Sequence, residues 1–276
     1  MSERIPILVY HSLSAAPADW IAPFAVAPDV FDSHLDAIAE AGASAMTVSE
    51  LIDALAGTPA RLPERPVLVT FDDGFADFAT LAQPAMAVRR IRATLYVATG
   101  YMESEIGPGG ERMLGWPAIV DLHACGVEVG AHTHTHPQLD VLTRALAQDE
   151  IARSKALLEE HLGAAVRSFA YPHGYSSASV RRLVRDAGFD SACAVGNTFS
   201  SPGEDAFRLS RIMVRSTTTA DQVADWVRGA GAPPARRRER ARTRAWRCYR
   251  RAAVWMGLRK ESELWALQPS SRRSES

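Results

Sequence analysis

Short apolar runs alternate with helical stretches about seven or eight times along this chain, and that alternation narrows the fold more than any other feature. Residues 5–10, 67–70, 93–98, 127–131, 168–171, 191–195 and 209–214 read as strands, with a shorter one at 46–48. Between them, helical spacing predicts helices over 31–41, 50–55 with Ser49 as cap, from Gly74 to about Arg89, 116–125, 139–162 and 176–187. A glycine-rich stretch, 100–115, reads as a surface loop over the strand ends. Strands that are apolar throughout and separated by helices belong to a parallel sheet covered by those helices. The expected class is α/β: a distorted (β/α) barrel of about seven parallel strands over residues 1–232. A basic helical extension follows in 233–276.

In such barrels the chemistry sits at the C-terminal ends of the strands. His11, Asp72, Asp73, His132 and His173 all fall at predicted strand ends. Side chains alternate along a strand, so Asp72 and Asp73 should point apart. A bend at Gly74 can bring both to one cleft with different neighbours. One carboxylate can then bind a cation while the other handles a proton. Alone, Asp-Asp-Gly is an ordinary turn and helix cap. The stretch Gly130-Ala-His-Thr-His-Thr-His-Pro137 changes that weighting, with histidines at 132, 134 and 136. A pair four apart converges if the chain turns helically, and all three share a face if it stays extended. Three histidines at a strand end, with an aspartate pair elsewhere, favour a metal over a polar loop. Two histidines and one carboxylate leave coordination positions open, as a catalytic ion needs.

Thr70-Phe71-Asp72-Asp73-Gly74 together with His132-Thr133-x-x-His136 resembles the polysaccharide deacetylase family, the NodB-homology domain of carbohydrate esterase family four. The resemblance covers about residues 5–214 and includes Gly115-Trp116, Gly126–Gly130 and His136-Pro-Gln-Leu139. It implies that Asp72 is the general base and that Asp73, His132 and His136 hold the metal. Thr133 would brace the loop, and His134 falls at a variable position. The family's third motif, Arg-x-Pro-Tyr-Gly, reads Ala170-Tyr171-Pro172-His173-Gly174 here, so the arginine that steadies the base is replaced by Ala170. The backbone N–H of His173 can still serve an oxyanion, a role that needs no particular side chain. The late Leu-x-His motif, which supplies the acid, is missing: Leu209-Ser-Arg-Ile212 has no histidine. Pro6–His11 instead resembles a rearranged subgroup that includes poly-N-acetylglucosamine deacetylases, in which a histidine of the N-terminal strand is the acid. That implies His11 as acid, against the plainer reading of a buried core histidine. Tyr101, Trp116 and Tyr171 are candidates for stacking on sugar faces, or equally for packing.

The activity so implied is metal-dependent removal of an N-acetyl group from a carbohydrate by metal-activated water. The substrate would be an exopolysaccharide, a cell-envelope glycan or a lipid-linked sugar precursor. An aspartate with two histidines suits zinc, with cobalt, nickel and manganese as alternatives. Two other readings stand beside it. One is a related amide or formyl hydrolase on a non-polysaccharide substrate. The other is a catalytically impaired carbohydrate-binding barrel, kept open by the missing arginine.

A net charge of −1 hides an asymmetry. From Arg236 onward there are 13 Arg/Lys and 4 Asp/Glu, so an acidic body carries a basic tail. In 236–259, Arg240, Arg244, Arg247 and Arg251 form one helical stripe beside Trp246, Tyr249, Ala253 and Met256. Such a helix suits anionic lipid, or packing on the barrel or on another subunit. No nucleic-acid-binding fold accompanies it. Residues 269–276 read as a disordered end. The cysteines at 125, 193 and 248 have no CxxC partner and read as reduced. No leader pattern and no bilayer-length apolar run occur. The expected location is cytoplasmic, with the tail able to hold the protein peripherally on the inner membrane face.

Overall fold

The apolar runs pair edge to edge, all in parallel, and the ring they form closes on itself. A computed structural model of the chain describes residues 4–57, 61–235 and 241–256. Its strands are β1 (Ile7–Tyr10), β2 (Ser12–Leu13), β3 (Ala25–Val26), β4 (Ser44–Ala45), β5 (Pro66–Phe71), β6 (Ala93–Val97), β7 (Glu128–Ala131), β8 (Ser168–Ala170), β9 (Ser191–Val195) and β10 (Leu209–Met213). The ring runs β1, β10, β9, β8, β7, β6, β5, and β5 pairs back onto β1. This is a distorted (β/α) barrel of seven parallel strands. β4 adds to the outer end of β5, and β2 pairs only with β3. The helices are α1 (Pro28–Glu40), α2 (Val48–Ala56), α3 (Gln83–Val88), α4 (Thr99–Ser104), α5 (Trp116–Ala124), α6 (Arg144–Leu162), α7 (Ala178–Asp186), α8 (Ala220–Val227) and α9 (Ala241–Trp255).

Alternation along each strand sorts the core into two layers. Ile7, Leu68, Tyr96, Ala170, Cys193 and Leu209 fill the barrel's interior. Leu8, Tyr10, Val67, Val69, Phe71 and Leu95 face the helices. On that outer side Tyr10 stacks on Phe71 at 5.2 Å and meets Phe31 edge-on, while Phe71 meets Phe78 edge-on at 4.9 Å. Each such pair adds about 0.5–1.5 kcal/mol beyond burial. They fix the strand ends that lead into His11 and Asp72. Inside, the barrel is tight at β7: a Cβ on Gly130 would lie 2.5 Å from the Tyr96 ring and 2.8 Å from Ser168 Oγ. Only glycine fits there, two residues before His132.

Several element boundaries differ from expectation for local reasons. α2 is capped by Thr47, not Ser49. Thr47 Oγ1 accepts the Glu50 N–H and the Glu50 carboxylate accepts the Thr47 N–H, a reciprocal box. Ser49 instead donates to the Glu128 carboxylate at 2.5 Å, and the preceding strand is 44–45, not 46–48. α6 begins at Arg144 because Thr143 caps it, which leaves 139–141 as a 3-10 turn. The 100–115 loop contains most of α4 and a bridge between Ile106 and Arg112. β2, β3 and α8 were not anticipated from the sequence. Among the described residues no helix is long and apolar enough to cross a membrane. Arg240 and the 269–276 end lie outside the described residues.

Candidate active site

The inward parity of the strands continues past their ends. Two residues beyond Val9 comes His11, two beyond Thr70 comes Asp72 and two beyond Gly130 comes His132, while Arg211, two beyond Leu209, points inward from within β10. All four are buried. Asp73 has the opposite parity and joins them by a left-handed turn of its own backbone, φ 75°, ahead of Gly74 at φ 88°. The bend expected at Gly74 therefore begins one residue earlier, in a conformation that a non-glycine residue holds only when its surroundings enforce it.

Asp73 Oδ1 lies 3.4 Å from His132 Nε2 and 3.2 Å from His136 Nε2. One ligand atom from each of the three residues falls within 4.8 Å of the others. His132 Nδ1 donates to the Ala170 carbonyl at 2.8 Å. A neutral His132 therefore turns its Nε2 lone pair toward Asp73, the orientation typical of a metal-bound imidazole. Asp73 Oδ1 is buried, and no hydrogen-bond donor is aimed at it. Acceptors so arranged away from water are unfavourable unless a cation sits among them. The donor set thus fits a divalent ion and leaves coordination positions for water and substrate. Burial disfavours the Asp73 charge; positive charge on the neighbouring His136 and His132, the place a cation would fill, lowers its pKa well below the usual carboxylate range.

Asp72 is held from the opposite side. Arg211 Nη1 donates to Oδ1 at 2.6 Å and Nη2 to Oδ2 at 2.7 Å, a two-pronged grip with both partners buried. Arg211 also donates to Thr70 Oγ1 at 3.1 Å and to the Ala194 carbonyl at 3.3 Å. Burial opposes ionisation of Asp72, yet Arg211 and His132 bring its pKa below the usual value. The arginine that the third motif lacks at Ala170 is thus supplied by β10. Leu209–Ile212, which lacks the histidine of the late motif, carries this arginine instead. The available signal was a lone charge at inward parity with Leu209 in an apolar strand.

His11 is 7% exposed, its Nδ1 has no hydrogen-bond partner, and its ring packs 5.5 Å from Phe24. Burial lowers its pKa, with Asp73 and Asp72 pulling the other way. The chain beyond it is anchored by Ser12 Oγ, which donates to Asp77 Oδ2 at 2.7 Å. Burial pushes the Asp77 carboxyl up to about 6, against hydrogen bonds from Ser12 and Leu13. The folded chain therefore keeps this proton to higher pH than the unfolded chain does. Its contribution to stability is full below the unfolded pKa and is lost as pH rises toward 6, a change on the order of 1–3 kcal/mol. Asp77→Asn should flatten that part of the profile. Chemical denaturation at pH 4.5 and 6.5 checks it: the difference between the two should shrink relative to the parent, and an unchanged difference would refute the assignment.

Residues 60–192 match the family model described as "Polysaccharide deacetylase", a span that contains Asp72, Asp73, His132, His136 and His173. This segment matches the polysaccharide deacetylase family. His11 and Arg211 lie outside the matched span. YxkH of Bacillus subtilis (strain 168), whose name places it with the polysaccharide deacetylases, is 24% identical over 212 residues, 76% of this chain and 71% of its own. IcaB from Ammonifex degensii superposes with a TM-score of 0.70 at 28% identity, over 82% of this chain and 97% of its own. The Streptococcus pyogenes deacetylase PplD, solved in complex with acetate, shares the fold with a TM-score of 0.72 at 24% identity, over 80% of this chain and 96% of its own.

The histidine loop of the matched segment is not helical. Thr133 and His136 are both left-handed, at φ 67° and 62°. Thr133 Oγ1 closes the turn by accepting the His136 N–H at 2.9 Å. His134 is buried and turned away, its Nδ1 2.9 Å from Thr99 Oγ1, while Glu150 accepts the N–H groups of His134 and Thr135. His173 is left-handed too, at φ 59°. The turn's own hydrogen bonds run from Gly174 to Tyr171 and from Tyr175 to Pro172 and do not use the His173 N–H. Its ring sits 4.9 Å from that of His136, and burial with His136 nearby lowers its pKa well below the usual value.

The three aromatic candidates separate. Tyr171 is fully buried, packs edge-on against Phe169 and donates its hydroxyl to the Phe207 carbonyl. It has no face to offer a sugar, and its expected role in substrate binding is corrected to core packing. Trp116 is half-buried, stacked on His161 at 3.9 Å and packed against the outer core. Tyr101 on α4 is half-buried, and burial and the charge of Asp73 both raise its pKa.

Proposed function

We propose that this chain is a metal-dependent carbohydrate N-deacetylase. The observation that carries the reading is the buried Asp73 oxygen, without a donor and flanked by two imidazole nitrogens, beside an Asp72 gripped by Arg211. Asp73, His132 and His136 would hold the ion. A divalent ion there supplies a Lewis acid for the acetyl carbonyl and lowers the pKa of water toward 7. Asp72, kept ionised and oriented by Arg211, takes the proton from the attacking water. The His173 N–H is the proposed donor to the oxyanion that develops on the acetyl group. His11 is the proposed acid: its lowered pKa makes a proton placed on it easy to pass to the departing amine. Zinc is the proposed metal. The proposed substrate is an N-acetylated exopolysaccharide, envelope glycan or lipid-linked sugar, met from the cytoplasmic side.

The missing arginine was the ground for an impaired barrel, and Arg211 removes that ground. The test is acetate release from N-acetylglucosamine oligomers by enzyme dialysed against chelator and then restored with Zn²⁺, Co²⁺, Ni²⁺ or Mn²⁺. Restoration of turnover by a metal is the expected result. Formate release from N-formyl sugars in place of acetate, or no metal requirement, would overturn the reading.

A further inference from the structure

Arg250 is a charged residue from outside the barrel, yet it is only 2% exposed. It projects from α9, in the basic tail whose place the sequence left open. Its Nη2 donates to Asp140 Oδ2 at 2.7 Å, and its Nη1 donates to Asp140 Oδ1 at 3.2 Å and to Gln138 Oε1 at 2.6 Å. The guanidinium lies 3.8 Å over the Tyr175 ring. From the next residue, Arg251 Nε donates to the Asp140 carbonyl at 2.5 Å. Asp140 and Gln138 are themselves buried.

These partners belong to the two loops that shape the site. Gln138 and Asp140 stand two and four residues after His136. Tyr175 stands two after His173, and its ring lies 6.3 Å from the His173 ring. His136 and His173 both hold left-handed backbones, with their rings 4.9 Å apart. Such conformations persist only when surrounding contacts over-determine them. The planar fork of arginine can satisfy a carboxylate, an amide oxygen and an aromatic face at once, which lysine cannot.

We infer that Arg250 is a positioning residue: it clamps the His136 loop to the His173 loop, so that the C-terminal helix completes the metal-binding end of the barrel. This rests on the reading of His136 as a metal ligand and extends it to a segment outside the barrel. A tail that merely packed on the surface would set stability and leave the ion's affinity alone.

The experiment uses the full-length chain as Arg250→Lys, Arg250→Met and the neutral pair Arg250→Met/Asp140→Asn, which leaves no unpaired buried charge if the single variant fails to fold. Folding is checked by circular dichroism. Co²⁺ affinity is measured by competition with a chromogenic chelator and by the cobalt d–d spectrum, and acetate release gives kcat and KM. Loss of outer support for metal ligands weakens binding about 10–100-fold. Arg250→Met and the neutral pair should show that loss with an altered d–d band and a lower kcat at little changed KM, and Arg250→Lys should fall between them and the parent. Parent-like affinity and spectrum in a folded Arg250→Met, or in the neutral pair, would overturn the inference while leaving the deacetylase reading intact. A parent that binds no Co²⁺ would overturn both.

Discussion

Asp73→Ala should leave the site unable to hold its ion. Metal affinity should fall more than ~100-fold, because even the outer partners of metal ligands are worth about 10–100-fold. Turnover should fall by about 10³ or more: a Lewis acid contributes several kcal/mol to the transition state, at 1.36 kcal/mol per decade. The reason lies in the geometry. Asp73 Oδ1 is the point that both imidazoles face, at 3.4 and 3.2 Å, and no other carboxylate among the described residues completes that group of three. The matched control is Asp72→Asn. That change leaves the three ligands in place and removes the base, so it should bind metal like the parent while losing about 10²–10⁴ in turnover. Elemental analysis after gel filtration separates the two variants. Thermal melts give a second readout, since an ion at 1,000 times its Kd stabilises the parent by about 4 kcal/mol. Zinc should raise the melting temperature of the parent and of Asp72→Asn but not that of Asp73→Ala. Equal metal content in parent and Asp73→Ala would remove Asp73 from the ligand set.

How much of this could be read from the chain differs residue by residue. The barrel was legible because its strands are apolar throughout and its helices are periodic. Both signals are local, and both survive into the structure from β1 to β10. Asp72, His132 and His11 were legible because they sit where such strands end. What the sequence hid was of two kinds. The first was the route by which Asp73, Thr133, His136 and His173, all named by the motifs, reach their places: left-handed backbones, which Asp and His tolerate more often than most residues but do not announce. Arg211 and Arg250 were hidden because their partners are 139 and 110 residues away. A motif reads neighbours along the chain, so a guanidinium supplied from β10 or α9 looks like an ordinary charge. Tyr171 shows the converse. As an aromatic near the site it is a candidate for stacking on a sugar or equally for packing, and its parity at the end of β8 sends the ring toward Phe169.

Arg211→Met should be the most damaging change made outside the metal ligands and the base itself. The substitution roughly keeps the volume but leaves Asp72 buried without its cation. Breaking a buried pair from one side costs about 3–5 kcal/mol, because the remaining charge is stranded. Asp72 can escape part of that cost by taking up a proton. In the parent, Arg211 and His132 outweigh burial and keep the Asp72 pKa low. Without Arg211, burial dominates and the pKa rises. The sign for activity follows: the base must be ionised, so the acidic limb of the pH–rate profile should move to higher pH. The plateau should also drop, by about 10²-fold, because a base that loses its two-pronged grip loses the orientation that proximity requires. Arg211→Lys restores a charge but only a point contact, so it should recover stability more than rate. Metal affinity should stay near that of the parent in both variants, since Arg211 bonds Asp72, Thr70 and Ala194 and none of the three ligands. A pH–rate profile from 5 to 9, read beside chemical denaturation, decides it. If Arg211→Met kept the parent's acidic limb and plateau, the orientation of the base would have to come from another group, and the arginine would be a structural filler of the barrel.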